Sequence, residues 1–207
     1  MCTIVMKGYS SKKGKVVVGI DEAGRGPLAG PVSIGSVSLF PGPSISLRGL
    51  KDSKQLTERD RETWFKKIQD GQKEGRLQYA VSLISHKVID KKGIVHAIQL
   101  GISRNLKKLG VDPKSARIFL DGSLKAPEEY QDQKTIIKGD EKIPIIALAS
   151  IVAKVTRDRA MKKYGRQYPH YGLEVHKGYG TKRHRDAIKK YGAAIIHRKT
   201  FLGNFDK

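Results

Sequence analysis

Short apolar runs alternate with longer amphipathic segments along this 207-residue chain. The first run, 16–20, contains no polar position, which is typical of a strand buried on both faces of a sheet. Four later runs have similar length and β-branched or aromatic content, so they also predict strands. The predicted strands are 15–21, 32–40, 77–85, 117–121 and 134–137.

Helical periodicity marks the segments between these runs. Thr57 is a suitable N-cap for the first helix, because Glu58 and Asp60 in its first turn favour the positive helix end. Gly110 ends the second helix, since glycine commonly follows the last helical turn. The predicted helices are 57–70, 93–109, 143–164 and the basic segment 181–191. The alternation predicts an α/β fold, a mixed sheet with helices packed against it.

Positive charge is the strongest compositional bias. The chain has 41 Lys and Arg against 20 Asp and Glu, a formal net charge of +21. A surplus of this size predicts a polyanionic partner, and nucleic acid is favoured over an anionic membrane surface. The length is sufficient for one domain with a sizeable core. We therefore expect a single domain over 1–207, in which about 165–207 forms a basic, partly helical C-terminal extension.

Cysteine usage and hydropathy bear on the cellular compartment. The single cysteine, Cys2, cannot form an internal disulfide and is typical of a reducing compartment. The apolar run 4–6 is too short for a signal-peptide core. No segment reaches the roughly 18 apolar residues of a membrane span. We expect a cytoplasmic protein without membrane association.

Acidic residues stand at the ends of two predicted core strands. Asp21 and Glu22 end the first strand, and Asp121 ends the strand 117–121. Unpaired buried charge is costly, so carboxylates in these positions indicate a bound cation. Asp158 lies on the predicted helix 143–164, on one helical stripe with Ser150.

Four carboxylates from two strand ends and one helix predict a site for two divalent cations. Oxygen ligands suit hard ions, so we expect Mg²⁺ or Mn²⁺. Two such ions roughly 3.5–4 Å apart can activate water and stabilise the leaving oxygen in phosphodiester hydrolysis. In a chain this basic, the predicted substrate is nucleic acid.

Each motif also has a simpler interpretation. Asp21 and Glu22 would fit a solvated turn, Asp121 begins a common turn dipeptide, and Asp158 lies between two arginines as in a surface ion pair. The histidines show no metal-ligand spacing, which argues against zinc. Residues 24–29 match the dinucleotide fingerprint, but Pro27 and the following strand do not allow the helix that this fingerprint requires.

Five segments of the chain, in this order, resemble ribonuclease HII, the type 2 ribonuclease H. They are GIDEAGRGPLAGPV (19–32), LKDSKQLT (50–57), FLDG (119–122), ASIVAKVTRDR (149–159) and HKGYGTKRH (176–184). The resemblance implies a ribonuclease-H-like mixed sheet flanked by helices, with a small helical C-terminal part. It also implies an endoribonuclease that cleaves the RNA strand of RNA–DNA hybrids. The family further incises duplex DNA 5′ to an embedded ribonucleotide, leaving 3′-hydroxyl and 5′-phosphate ends.

The resemblance implies roles for individual residues. The metal-binding carboxylates of the family match four acids of this chain: Asp21, Glu22, Asp121 and Asp158. Its Gly-Arg-Gly motif, which contacts the RNA–DNA junction around the ribonucleotide 2′-OH, matches Gly24, Arg25 and Gly26. Its junction-sensing tyrosine matches Tyr179. Further substrate contacts are expected from four basic residues: Lys54, Lys177, Lys182 and Arg183.

Two other functions remain open from the residues alone. A non-catalytic RNA- or DNA-binding module would explain the charge but not the acids at the strand ends. A two-metal nuclease of branched DNA, such as a resolvase, would share the sheet and its acids. The C-terminal sequence HRKTFLGNFDK has no glutamine where a sliding-clamp peptide requires one, so we expect no clamp contact through this tail. We also expect a monomer.

Overall fold

A single mixed sheet organises the protein, whose computed structural model describes residues 15–39, 46–50 and 53–203. Within these residues the strands are β1 (Val16–Ala23), β2 (Val32–Leu39), β3 (Leu77–Ile84), β4 (Ala116–Asp121) and β5 (Gln133–Ile136). Their order is β3-β2-β1-β4-β5. The pairs β1–β2 and β2–β3 are antiparallel, whereas β1–β4 and β4–β5 are parallel. The predicted α/β class and mixed sheet are confirmed.

The helices connect the strands and extend the chain beyond the sheet. Within the described residues the α-helices are α1 (Glu58–Lys73), α2 (His86–Lys92), α3 (Ile94–Lys108), α4 (Gly139–Lys142), α5 (Pro144–Gln167), α6 (Leu173–His176), α7 (Lys182–Tyr191) and α8 (Lys199–Leu202). Thr57 caps α1 as expected, since its hydroxyl accepts the Asp60 N–H at 3.1 Å. The four predicted helices correspond to α1, α3, α5 and α7. The four others are seven residues or shorter, too short for a periodic pattern.

Two layers of side chains cover the two faces of the sheet. Val18 and Ile20 of β1 pack with α2 and α3. Val17 of the same strand packs on the other face with α1 and α5, where Trp64 and Phe65 are buried. This alternation explains why β1 is apolar at consecutive positions, because both of its faces are covered.

Helix α5 crosses β1 and β2 at backbone contact distance. A Cβ atom on Gly19 would lie 2.3 Å from the Ile145 carbonyl oxygen, and one on Gly35 would lie 2.2 Å from the Ala149 carbonyl oxygen. Glycine at both positions therefore permits the close approach. The approach brings Ser150 of α5 to the end of β1, where its hydroxyl lowers the pKa of the Asp21 carboxylate.

A third apolar cluster joins the C-terminal segments to the loop between β1 and β2. Leu28 and Ala29 of this loop pack with Met161 of α5, Ile188 of α7 and Ile196. No helix in the described ranges is long and apolar enough to cross a membrane. The division of the chain into a catalytic part and an extension from about residue 165 stays a prediction.

Candidate active site

Three carboxylates meet where β1 and β4 end. Asp21, Asp121 and Asp140 each offer one oxygen, and these oxygens lie within 4.8 Å of one another. Because β1 and β4 are parallel neighbours, Asp21 and Asp121 reach the same edge of the sheet. Asp140 comes from the start of α4, where the Gly139 N–H donates to Asp121 Oδ1 at 2.6 Å. We call these three residues the acidic group.

The electrostatics of the acidic group fit a divalent cation. Burial, followed by the charges of Glu22 and Asp121, raises the pKa of Asp21 well above its usual range. The Ser150 hydroxyl and the Glu22 N–H oppose this shift, and the Glu22 N–H donates to Asp21 Oδ1 at 2.7 Å. A positive charge bound there would favour the ionised form of each carboxylate. Carboxylate oxygens are also the ligands that Mg²⁺ and Mn²⁺ prefer.

Glu22 lies beside the acidic group without joining it. Its side chain leaves β1 on the face opposite to that of Asp21, as consecutive strand residues must. Arg25 Nη1 lies 3.6 Å from Glu22 Oε1. Burial raises the pKa of Glu22 above its usual value. The Arg25 charge opposes this shift, and the Asp121 charge adds to it. Glu22 is therefore close enough to the acidic group to interact with it through its charge.

The structure places Asp158 outside the acidic group. Lys154 Nζ donates to Asp158 Oδ1 at 2.8 Å, and Arg61 Nη2 lies 4.0 Å from Asp158 Oδ2. The Asp158 charge also opposes the lowering of the Lys177 pKa that burial causes. Asp158 is thus a buried counter-ion for basic side chains, and the geometry favours Asp140 over Asp158 as the partner of the strand-end acids.

Sequence reasoning missed Asp140. It lies in the polar segment KGDEK, which contains no apolar run and shows no helical periodicity. One available signal was its position four residues after Ile136, the last residue of β5. The criterion that selected Asp21 and Asp121, an acid close to the end of a strand, would have included Asp140.

The predicted basic contacts lie in different surroundings. Lys54 Nζ donates to Asp140 Oδ2 at 2.8 Å. Lys177 follows α6 in a left-handed conformation with φ 51°, a backbone strain that is often found at functional sites. Lys182 and Arg183 are exposed in the first turn of α7, where Lys182 pairs with Asp186. The structure thus brings Lys54 to the acidic group and leaves the two α7 residues on the surface.

The segment that contains Lys54 is held against α5 and α1 by polar contacts. The hydroxyls of Ser53 and Ser150 lie 2.6 Å apart. Arg61 Nη1 donates to the carbonyl oxygens of Ser53 and Leu56 at 2.9 and 2.5 Å. Ser150 therefore links this segment to the end of β1, where its hydroxyl lowers the pKa of Asp21.

The Gly-Arg-Gly segment and Tyr179 belong to neighbouring loops. The Leu28 N–H donates to the Gly178 carbonyl at 2.8 Å, which joins the β1–β2 loop to the loop that carries Tyr179. Arg25 and Gly26 are exposed, and 46% of Tyr179 is accessible to solvent. An exposed aromatic ring and an exposed guanidinium on adjoining loops can both contact a nucleic-acid strand.

Sequence comparison decides the family. The family model described as Ribonuclease HII matches residues 18–203. The chain belongs to the ribonuclease HII family. The ribonuclease HII of Endomicrobium trichonymphae is 48% identical over 185 residues, which cover 89% of this chain and 84% of the relative.

Solved structures of the family share the fold. The ribonuclease H2 of Pyrococcus horikoshii OT3 matches with a TM-score of 0.69 and 31% identity, covering 93% of this chain and 99% of that protein. The ribonuclease HII of Archaeoglobus fulgidus, in a structure of its complex with PCNA, matches with a TM-score of 0.71 and 25% identity over 92% and 97% of the two chains. The ribonuclease-H-like fold implied by the sequence motifs is confirmed.

Family membership also decides the class of activity. The chain is a metal-dependent ribonuclease H, an endoribonuclease that hydrolyses phosphodiester bonds in RNA–DNA hybrids. A non-catalytic binding module is therefore the wrong interpretation of the positive charge. The buried acidic group is compatible with divalent-metal use.

Proposed function

We propose that this protein also incises duplex DNA on the 5′ side of a single embedded ribonucleotide, leaving 3′-hydroxyl and 5′-phosphate ends. The observation that supports this proposal is the continuity of β1 with the β1–β2 loop. Asp21 of the acidic group and the exposed Arg25 are separated by only three residues. A scissile phosphate at the acidic group would therefore have its neighbouring sugar beside the loop.

Two divalent cations, Mg²⁺ or Mn²⁺, are proposed to bind at the acidic group, with Glu22 as the outer carboxylate. Bound there, the cations would activate the attacking water and stabilise the leaving oxygen. The chain itself orients the ligands: the Glu22 N–H holds Asp21. The Gly139 N–H holds Asp121. With the ligands held in this way, little reorganisation is needed when the ions bind.

The β1–β2 loop is proposed to distinguish RNA from DNA. A 2′-hydroxyl is the feature that separates the two at a given site. Backbone groups around Gly24 and Gly26 can reach this hydroxyl without interference from side chains. Tyr179, on the adjoining loop, would place its ring on the neighbouring deoxyribose, where a second hydroxyl would obstruct it. Arg25 would contact a phosphate or a base edge.

The remaining basic residues are proposed to bind the duplex backbone. Lys54 lies at the acidic group, whereas Lys177, Lys182 and Arg183 belong to the C-terminal part. Contacts of this kind add affinity without sequence preference and weaken as salt concentration rises. We infer a single catalytic domain over 1–207 that acts as a monomer. Light scattering after size exclusion tests the monomer.

The decisive experiment is cleavage of an end-labelled DNA duplex that contains one ribonucleotide. Reactions in Mg²⁺, Mn²⁺ or EDTA run beside an all-DNA duplex, an all-DNA four-way junction and a continuous RNA–DNA hybrid. The proposal predicts one metal-dependent cut 5′ to the ribonucleotide, with both all-DNA substrates intact. Cleavage of the hybrid alone would remove the junction roles of Arg25 and Tyr179. Cleavage of the four-way junction would favour a nuclease of branched DNA.

A further inference from the structure

Two arginines are buried beneath the β1–β2 loop. Arg157 of α5 is 1% exposed, and Arg198, directly before α8, is 0% exposed. They are the largest side chains that are fully buried in the described part of the chain. Arginine is almost never fully buried unless its charge is compensated, so this pair requires an explanation.

The Arg198 side chain donates hydrogen bonds to carbonyl groups near both ends of the β1–β2 loop. Its Nη2 donates to the Gly24 carbonyl at 2.7 Å, and its Nη1 donates to the Arg25 carbonyl at 2.8 Å. Its Nε donates to the Gly30 carbonyl at 3.0 Å. One side chain from the C-terminal segment thus fixes three peptide groups of a loop that is distant in sequence.

Arg157 supports the same loop from α5. Its Nε donates to the Pro31 carbonyl at 3.0 Å and its Nη2 to the Ala29 carbonyl at 3.3 Å. A Cβ atom on Gly24, whose φ is +91°, would lie 1.8 Å from Arg157 Nε. The guanidinium carbon is 5.8 Å from the centre of the Tyr179 ring. Arg157 is therefore in contact with both loops that are proposed to recognise the ribonucleotide.

Burying the neighbouring cations Arg157 and Arg198 is electrostatically unfavourable, so packing alone does not account for the pair. Burial, followed by the charge of Arg157, lowers the pKa of Arg198 to about 9. Burial also lowers the pKa of Arg157. An apolar pair of similar volume would avoid the desolvation cost of two neighbouring cations. The hydrogen bonds to the loop are what the arginines provide and an apolar pair would not.

The direction of these bonds determines what the loop presents to substrate. In a trans peptide the C=O and the following N–H point in opposite directions. Since the carbonyls of Gly24 and Arg25 point to Arg198, the N–H groups of Arg25 and Gly26 point away from it. Neither N–H has a hydrogen-bond partner within the described residues. Both are available to an acceptor oxygen of the bound strand.

We infer that Arg157 and Arg198 are positioning residues for ribonucleotide recognition. They hold the loop carbonyls inward, so that the N–H groups of Arg25 and Gly26 face the 2′-hydroxyl oxygen or the adjacent phosphate. Arg157 also fixes this loop relative to Tyr179. The inference rests on the proposed role of the loop in recognising the ribonucleotide.

The test compares the affinities for two duplexes that differ by one hydroxyl. Dissociation constants for a one-ribonucleotide duplex and for its all-DNA counterpart are measured by fluorescence anisotropy in EDTA, so that no substrate is cleaved. The variants are Arg198→Lys and Arg157→Lys, which keep the charge but lose the planar fork. Arg166→Lys, at an exposed position of α5, is the matched control.

Wild type and Arg166→Lys should prefer the ribonucleotide duplex by about tenfold, the order expected for one hydrogen bond at a desolvated site. Both buried variants should lose this preference while their all-DNA affinity stays within about twofold of wild type. A retained preference would overturn the inference, as would an equal loss of affinity for both duplexes. If wild type showed no preference for the ribonucleotide duplex, the loop would not recognise the ribonucleotide. Both the proposed role of the loop and the positioning role of the two arginines would then be wrong.

A second measurement uses wild type alone and so does not depend on the stability of the variants. Amide hydrogen exchange of Arg25 and Gly26 is compared in the two duplex complexes. The inference predicts extra protection of these two amides with the ribonucleotide duplex and not with the all-DNA duplex. Equal exchange in both complexes would contradict the orientation assigned to the loop.

Discussion

Lys54 Nζ lies 2.8 Å from Asp140 Oδ2, so an exposed ammonium contacts a buried carboxylate of the acidic group. Asp21 and Asp121 contribute the other two oxygens of this group. Lys54 therefore supplies positive charge at the edge of the proposed metal site. A divalent cation at the same oxygens would compete with this ammonium and be repelled by it.

Replacing Lys54 with methionine should separate metal binding from substrate binding. The apparent affinity for Mn²⁺ should increase about threefold to tenfold, because a competing cation is removed. The KM for nucleic acid should rise, because the proposed contact of Lys54 with a phosphate is lost. Initial cleavage rates over a grid of Mn²⁺ and substrate concentrations give both values. Lys163→Met, at an exposed position of α5, is the control. An unchanged Mn²⁺ dependence of Lys54→Met would contradict the position of the Lys54 ammonium beside Asp140.

Gly35→Ala and Gly26→Ala should have opposite consequences. A Cβ atom on Gly35 would meet the Ala149 carbonyl oxygen at 2.2 Å, whereas a Cβ atom on Gly26 would have no neighbour within 4 Å. Overpacking should cost Gly35→Ala about 2–3 kcal/mol of unfolding free energy. Gly26→Ala should stay within about 0.5 kcal/mol of wild type.

The cleavage assay completes this comparison. Gly26→Ala should cut the one-ribonucleotide duplex more slowly, because its methyl group lies where the loop approaches the strand. Urea unfolding measures the stability of each variant. A Gly35→Ala protein as stable as wild type would show that α5 does not lie as close to β2 as described.

His184 should make stability depend on pH in a defined window. It is fully buried in α7, with its Nε2 3.1 Å from His197 Nε2 and its ring stacked on His176. Burial, more than these neighbouring histidines, lowers the pKa of His184 to about 4. An unfolded histidine titrates at about pH 6.5, so the unfolded chain binds more protons than the folded chain between about pH 6.5 and 4. The contribution of His184 is therefore complete above this window and is lost as pH falls through it.

The measurement is the unfolding free energy of wild type and His184→Gln at several pH values. Between pH 7 and 4.5, wild type should lose roughly 2 kcal/mol more than the variant. His96→Gln, at an exposed position of α3, should follow wild type. Parallel curves for wild type and His184→Gln would contradict a neutral, buried His184.

Much of the fold could be predicted because its signals are local. Strands such as β1 are covered on both faces and appear as uninterrupted apolar runs. Long helices such as α3 show their buried stripe directly. The order of the strands was not predictable in this way. It depends on contacts between segments that are far apart in sequence, and it is this order that sets β5 and its following acid beside β4.

Residues of the candidate site could be predicted only where an acidic side chain stands at the end of a predicted strand. Asp21 and Asp121 stood out because each ends an apolar strand. Asp158 was grouped with them through its helical stripe, but it lies eight residues beyond Ser150, roughly 12 Å along the helix axis. Ser150 affects the pKa of Asp21, whereas Asp158 forms a hydrogen bond with Lys154. Periodicity identifies the side of a helix that a residue occupies and not its position along the axis.

The most direct test of the acidic group compares Asp140→Asn with Asp158→Asn. Metal-dependent cleavage of the one-ribonucleotide duplex is measured over a Mn²⁺ titration, with the folding of each variant checked by thermal unfolding. We predict that Asp140→Asn, still folded, loses at least about a hundredfold in cleavage rate, because a proposed direct metal ligand is removed. Asp158→Asn should lose stability but keep the Mn²⁺ dependence of wild type. Normal cleavage by Asp140→Asn, or a changed Mn²⁺ dependence in Asp158→Asn alone, would contradict the proposed metal site.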